Sequence, residues 1–219
     1  PVRRSTPTPC RVRVAVAIGT VGSLSPTPFT NSPTLVERPE RTPVPIEIRH
    51  VVYSRALDLL SLREEALDDL IGRGLSPETI DLAVYKSIPR RGTEYPNFIT
   101  RLIENLGEES LRKCPGLTDK NGRLAFWTAS GTRDGYVVPY RDASGFITGL
   151  QQKVLGGKYL TARGSVLSSV YHLSGRGGPG QDLYVTEGAS KATVASHLGG
   201  IWTFAAAGQS LTPQHIDVI

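Results

Sequence analysis

Glu187 is the acidic residue whose setting best suits chemistry. It follows the unbroken run Leu183-Tyr184-Val185-Thr186, precedes Gly188, and stands four residues ahead of Lys191. A β-branched and aromatic run of this kind suits a strand buried on both faces, which in a parallel sheet ends on its ligand-binding edge. Glycine then lets the chain turn tightly into a helix, where Ala192, Ala195 and Leu198 fall at three-residue steps on one face. A carboxylate on that edge can hold a divalent cation such as Mg²⁺ or Mn²⁺, a hard ion that prefers oxygen ligands. It can equally be a first-turn acid favoured by the helix dipole and paired with Lys191 at i,i+4. Both readings stand at this point.

A second set of residues is cationic. Residues 51–110 hold seven Lys/Arg against eleven Asp/Glu, whereas residues 111–180 hold ten against three, a swing from −4 to +7. Within the basic stretch Arg141, Lys153, Lys158, Tyr159 and Arg163 interleave charge with an aromatic ring, and Trp127, Tyr136 and Tyr140 add further rings. That mixture follows a phosphate backbone and stacks bases, so single-stranded DNA or RNA is the expected partner. The alternative is a solvated strand face.

Other chemistries are excluded. Gly175-Arg176-Gly177-Gly178-Pro179-Gly180 lacks the Gly-Lys-Ser/Thr ending of a phosphate-binding loop and precedes a strand; Gly156-Gly157-Lys158-Tyr159 has tyrosine where a hydroxyl ligand of Mg²⁺ would stand. Cys10 and Cys114, with His50, His172, His197 and His215, have no zinc or disulfide spacing. A cytoplasmic location is expected. No run approaches the roughly 18 apolar residues of a membrane span. Val12 to Leu24, behind Arg11 and Arg13, only faintly resembles a signal peptide.

Several elements must position these groups. Residues 1–45 contain nine of the sixteen prolines and are expected to be a disordered Pro/Ser/Thr-rich linker. Residues 46–112 read as helical. Ala56, Leu57, Leu59 and Leu60 begin it, Ser61 with Glu64 suggests a capping box, Ser76-Pro77 marks a further N-terminus, and Phe98, Leu102 and Leu106 repeat at i,i+4. Residues 113–180 change to a strand period, at 124–128, 135–140 and 146–154, and Asp142-Ala143-Ser144-Gly145 is a turn. Residues 181–219 form a strand, turn, helix and strand, after which Thr212-Pro213 opens another helix.

The run from Leu183 to Gly208 resembles the opening of a Toprim domain, the fold shared by bacterial-type primases, topoisomerases and some nucleases. By that resemblance Glu187 is the family's catalytic and metal-binding glutamate, Gly188 its turn glycine, and Lys191 a lysine found in a phage and plasmid branch joined to replicative helicases. Tyr136 to Asp142, Gly145-Phe146-Ile147 and Lys158-Tyr159-Leu160 are similar to the strand-rich region preceding Toprim in primases. Arg73-Gly74-Leu75-Ser76 and Pro115-Gly116 are shared with the same mobile-element branch. The family also carries an Asp-x-Asp metal pair about two strands later, which would fall after Ile219.

The expected architecture is an α+β approach module leading into the first half of a Toprim-like α/β domain. With 219 residues and 39% hydrophobic content the chain can bury a real core, and the absence of methionine suggests a fragment, inactive alone. The expected function is DNA replication chemistry of the primase type at a Mg²⁺-dependent acidic site. The alternatives are a non-catalytic nucleic-acid-binding module attached to a helicase and a Toprim nuclease.

Overall fold

The computed structural model describes residues 42–90, 92–119, 121–126, 134–178, 180–208 and 211–219, together with the backbone of residues 11–14. Strand β1 (Arg11–Val14) is followed by helices α1 (Ile46–Asp58), α2 (Glu64–Gly72) and α3 (Pro77–Leu82) and a short strand β2 (Lys86–Ser87). Helices α4 (Glu94–Leu106) and α5 (Glu108–Lys113) come next, then strands β3 (Gly135–Arg141), β4 (Ile147–Val154), β5 (Tyr159–Thr161) and β6 (Tyr171–Ser174). The chain closes with β7 (Asp182–Glu187), α6 (Ala189–Gly199), β8 (Thr203–Ala206) and α7 (Pro213–Ile216).

Helix α1 buries Arg49, Val52, Tyr53, Ala56 and Leu57, a three- and four-residue spacing that makes one face. Helix α3 starts as its sequence predicts: Ser76 accepts a hydrogen bond from the Thr79 amide at 3.3 Å, with Pro77 at the first helical position. The Ser61 capping box does not form. Helix α2 begins at Glu64 behind Arg63, whose amide donates to Ser87 Oγ at 2.9 Å, while the Ser87 amide donates to Ser61 O at 2.8 Å. A serine on β2 thus holds the entry to α2 by accepting the amide of its N-cap residue, which no local spacing could announce.

These helices lie against an antiparallel sheet of order β2-β3-β4-β5, with a register shift between Tyr140 and Arg141. Its two faces bury different partners, as the alternation of strand side chains requires. Val137 and Leu150 join Val52, Tyr53, Leu57, Phe98 and Leu102 in one core. Tyr136, Val138 and Tyr140 join Leu70, Val170, Ala189 and Ala207 in another. The second core fuses the helical segment to the C-terminal unit.

That unit is a sheet of order β1-β7-β8-β6, in which β1, β7 and β8 run parallel and β6 pairs antiparallel with β8. Two expectations change here. The linker expectation fails at Arg11–Val14, which pairs with Asp182–Val185. Without that strand the outer hydrogen-bonding groups of β7 would form a bare edge, and Arg-Val-Arg-Val carries the period of two that an added strand needs. The remainder of the expected linker up to residue 41 lies outside the described residues. Strand β7 is also less enclosed than its composition implies: Leu183 and Val185 are buried, but Tyr184 and Thr186 are only half-buried.

The two sheets are tied through β6. The Arg141 amide donates to His172 Nδ1 at 3.0 Å, and the Tyr171 amide donates to Thr148 Oγ1 at 3.1 Å. Because Nδ1 accepts, the proton of the neutral ring is on Nε2, which donates to Thr193 Oγ1 at 3.3 Å; that hydroxyl in turn donates to Ala189 O at 3.0 Å. The first turn of α6 is thereby fixed relative to β3.

Candidate nucleic-acid-processing site

Parallel pairing of β7 with β8 puts Glu187 beside Ala206, at the edge where both strands end. Gly188 caps α6 with φ 78° and ψ 141°, a positive-φ region almost confined to glycine, where a Cβ would cost about 1–3 kcal/mol. There is room for the atom itself, since among the described residues the only group near it is the Tyr140 hydroxyl at 3.8 Å. The constraint on Gly188 is therefore backbone conformation. Glu187 is exposed, and Lys191 Nζ lies 3.1 Å from its Oε2, so the i,i+4 pair expected of a first-turn acid exists.

Those residues nevertheless face a cleft. Glu187, Gly188, Ser190 and Lys191 form one wall, Ala206, Ala207 and Gly208 a second, and Gln151, Tyr159 and Thr161 from β4 and β5 the third. The Gln151 side-chain amide donates to Thr161 Oγ1 at 3.0 Å, presenting a polar surface opposite the carboxylate. Tyr159 is 36% exposed on an edge strand, leaving its ring open to a stacking partner.

The cationic residues separate. Lys158 is exposed in the turn leading into β5, next to Tyr159. Lys153 is largely buried, donates to Gly157 O at 2.6 Å and lies 4.9 Å from the centre of the Tyr159 ring, so it supports the β4–β5 turn and the ring. Arg141 is half-buried, donates through Nη1 to Gly145 O at 2.9 Å, and has its pKa lowered by desolvation; it closes the β3–β4 turn. Arg163 is exposed in the connection after β5 and does not line the Glu187 cleft. Trp127 lies outside the described residues.

Gln151, Thr161 and Ser190 are cleft residues that the sequence reading passed over. Gln151 carried a signal, for paired glutamines inside an apolar strand are costly unless their amides find partners. Thr161 and Ser190 carried none.

For a divalent cation the fit is that of one ligand in an open site. Among the described residues no three His, Cys, Asp or Glu side chains converge as a metal cage. Glu187 is the one carboxylate lining this cleft among them. Mg²⁺ commonly keeps several waters and binds through one or two carboxylates plus substrate phosphates, so Glu187 suits a shared ion.

No protein-family model and no curated protein matches the chain. Solved structures do. A DnaG primase catalytic domain bound to ssDNA is 21% identical with a TM-score of 0.54, over 78% of this chain and 59% of that one. The Aquifex aeolicus primase, zinc-binding and RNA polymerase domains, is 18% identical with a TM-score of 0.55, over 78% and 45%. The RNA polymerase domain of Mycobacterium tuberculosis primase DnaG, in complex with a double-stranded DNA oligomer with a 6-nucleotide overhang, is 17% identical with a TM-score of 0.57, over 78% and 56%. The mixed α/β fold with its antiparallel sheet is thus that of the primase catalytic core, and the chain spans 45 to 59% of these neighbours' length.

Proposed function

We propose that this protein is a primase-type replication protein, in which the cleft between β5 and the start of α6 receives the phosphates of a nucleic-acid strand or incoming nucleotide. The observation that carries the reading is the meeting of Glu187 and Lys191 with Tyr159, Gln151 and Thr161 in one cleft of a primase-core fold. Bound Mg²⁺ or Mn²⁺ would neutralise phosphate charge during nucleotidyl transfer. Glu187 would hold one side of that ion. Lys191, already drawn to the carboxylate, would turn to a phosphate oxygen when the ion takes its place. Tyr159 would stack a base of the strand, and Lys158 would contact the backbone beside it. Under this reading β7-α6-β8 is the opening of a Toprim unit, and a phage or plasmid origin with a replicative helicase as neighbour suits the Glu-Gly-x-x-Lys spacing.

A second reading, a binding module without chemistry, is favoured by one observation: Glu187 is the lone described acid of the cleft and already has a cationic partner. The two part on Glu187→Gln in the intact protein. Primer synthesis on a single-stranded template with saturating Mg²⁺ should be lost while template affinity is kept or slightly raised, because the change removes the charge and preserves shape. Undiminished synthesis would leave only the binding module.

A further inference from the structure

Helix α1 packs on the face of the antiparallel sheet that carries Leu150, whereas the adjacent residue on β4, Gln151, lines the Glu187 cleft. Neighbouring strand residues point to opposite faces, so what α1 holds lies across the sheet from that cleft. A second pocket is found there, lined by Arg49 and Tyr53 of α1, by Arg112 and Cys114 around the end of α5, and by Arg163 and Ser165 after β5.

Arg49 is the unusual member. It is only 7% exposed and has no carboxylate within ion-pair distance among the described residues; Glu47 and the Tyr53, Tyr171 and Cys114 side chains act on it only through space. Its hydrogen bonds to described residues leave from Nη1, to Thr148 O, to Ser169 O at 3.0 Å and to Ser169 Oγ at 3.2 Å. Its Nε is buried without a partner, as is Ser165 Oγ in the same pocket. A buried guanidinium without a counter-charge is costly, and the cost is offset when an anion binds.

Among the described residues no such anion stands at contact distance from Arg49, Glu47 acting only through space. Burial pushes the Cys114 thiol up to about 11, so it stays protonated at neutral pH, and Tyr53 keeps its proton and donates to Pro115 O at 3.0 Å. On the rim Arg112 is paired with Glu108 at 3.0 Å, but Arg163 makes no ion pair with a described residue, reaching Asp119 only through space. Two arginines and a hydroxyl, from α1 and from the connection after β5, therefore line one pocket that no described acid lines. A tetrahedral, multiply charged group accepts from several directions at once, which a planar carboxylate does less well.

The geometry points to a phosphoryl-binding site in this pocket, formed by Arg49, Arg163 and Ser165 and distinct from the Glu187 cleft, which takes a phosphate carried by a nucleic-acid strand or by a free nucleotide.

Amide NMR of the 219-residue chain tests it. Three probes are titrated against sodium chloride of equal ionic strength: inorganic phosphate, an oligothymidylate lacking terminal phosphates, and ATP. Saturable shifts at Thr148, Gly164, Ser165 and Ser169 are expected with phosphate. Saturation by the oligothymidylate assigns the pocket to a strand, and saturation by ATP alone assigns it to a nucleotide. Arg163→Glu, an exposed change that leaves the remaining amides in place, and Ser165→Ala should each weaken these titrations roughly tenfold, the loss of one charge-assisted hydrogen bond. Shifts at Gly188 and Lys191 should stay as in the wild type. The site is refuted if none of the probes moves the four amides beyond the chloride control, or if Arg163→Glu leaves the titrations unchanged.

Discussion

His172 shows how a single residue couples the site to pH. Burial, aided by the nearby Arg141 charge, lowers its pKa from 6.5 to about 4. The neutral ring is needed, since Nδ1 accepts the Arg141 amide and a proton there would break the tie between the sheets. Between pH 6.5 and 4 the unfolded chain binds a proton that the folded chain refuses, so stability falls as pH drops through that window, by about 3 kcal/mol in full. His215, also lowered by burial, contributes in the same direction. Urea unfolding at pH 7.5 and pH 4.5 should show the loss, and His172→Gln should be less stable at pH 7.5 with a visibly flatter pH dependence. An identical dependence in the variant would mean that other groups titrate.

At the scale of elements, the contact between β4 and β6 is set by Gly149. A Cβ there would stand 2.6 Å from Val170 Cγ1 and 2.9 Å from Cγ2, too close for the strand to remain where it is. Gly149→Ala should therefore destabilise by about 1–3 kcal/mol, the usual result of overpacking. The clash is with a side chain, so Val170→Ala in the same molecule should restore part of the loss, leaving the double variant more stable than the sum of the single changes requires. Thermal melts of the four proteins measure that coupling. Additive losses would show that shortening Val170 does not relieve the crowding at Gly149. Tyr136 and Tyr140 lie in the core that holds Val170 and Ala189, so a shifted β4 should also disturb the floor of the Glu187 cleft.

For the molecule as a whole, the charge swing along the chain resolves into a few exposed cations, which the proposed strand-binding reading would use. Lys158 and Arg163 are exposed, while Lys153 and Arg141 are committed to carbonyls of the protein. Lys158→Glu should weaken oligonucleotide binding about equally for all sequences and flatten the dependence of log affinity on log salt by about 0.7 for each phosphate no longer neutralised. Lys153→Met should act mainly on stability, loosening the turn and the Tyr159 ring. Fluorescence anisotropy at several salt concentrations, beside melting curves, separates the two. A larger binding defect in Lys153→Met with an unchanged melt would reverse the assignment. No helix among the described residues is long and apolar enough to cross a membrane.

Local physics accounts for the features legible along the chain. Gly188 after Glu187, Ser76 before Pro77, and the Phe98/Leu102 period each act within one turn or strand, so the α6 entry, the α3 cap and the buried face of α4 were readable in place. The i,i+4 ion pair of Glu187 and Lys191 follows from helical spacing alone. Tertiary structure decided which groups meet. Ser87 of β2 took the amide of Arg63 at the start of α2, Arg11–Val14 completed the edge of β7, and strand alternation sent Gln151 to the cleft while Leu150 went to the α1 core. It also turned Lys153 and Arg141 inward and left Lys158 and Arg163 free, a division that composition cannot make because all four carry the same charge. A chain encodes the charge of a residue, but whether that charge finds an internal carbonyl or the solvent depends on strands that are distant in sequence.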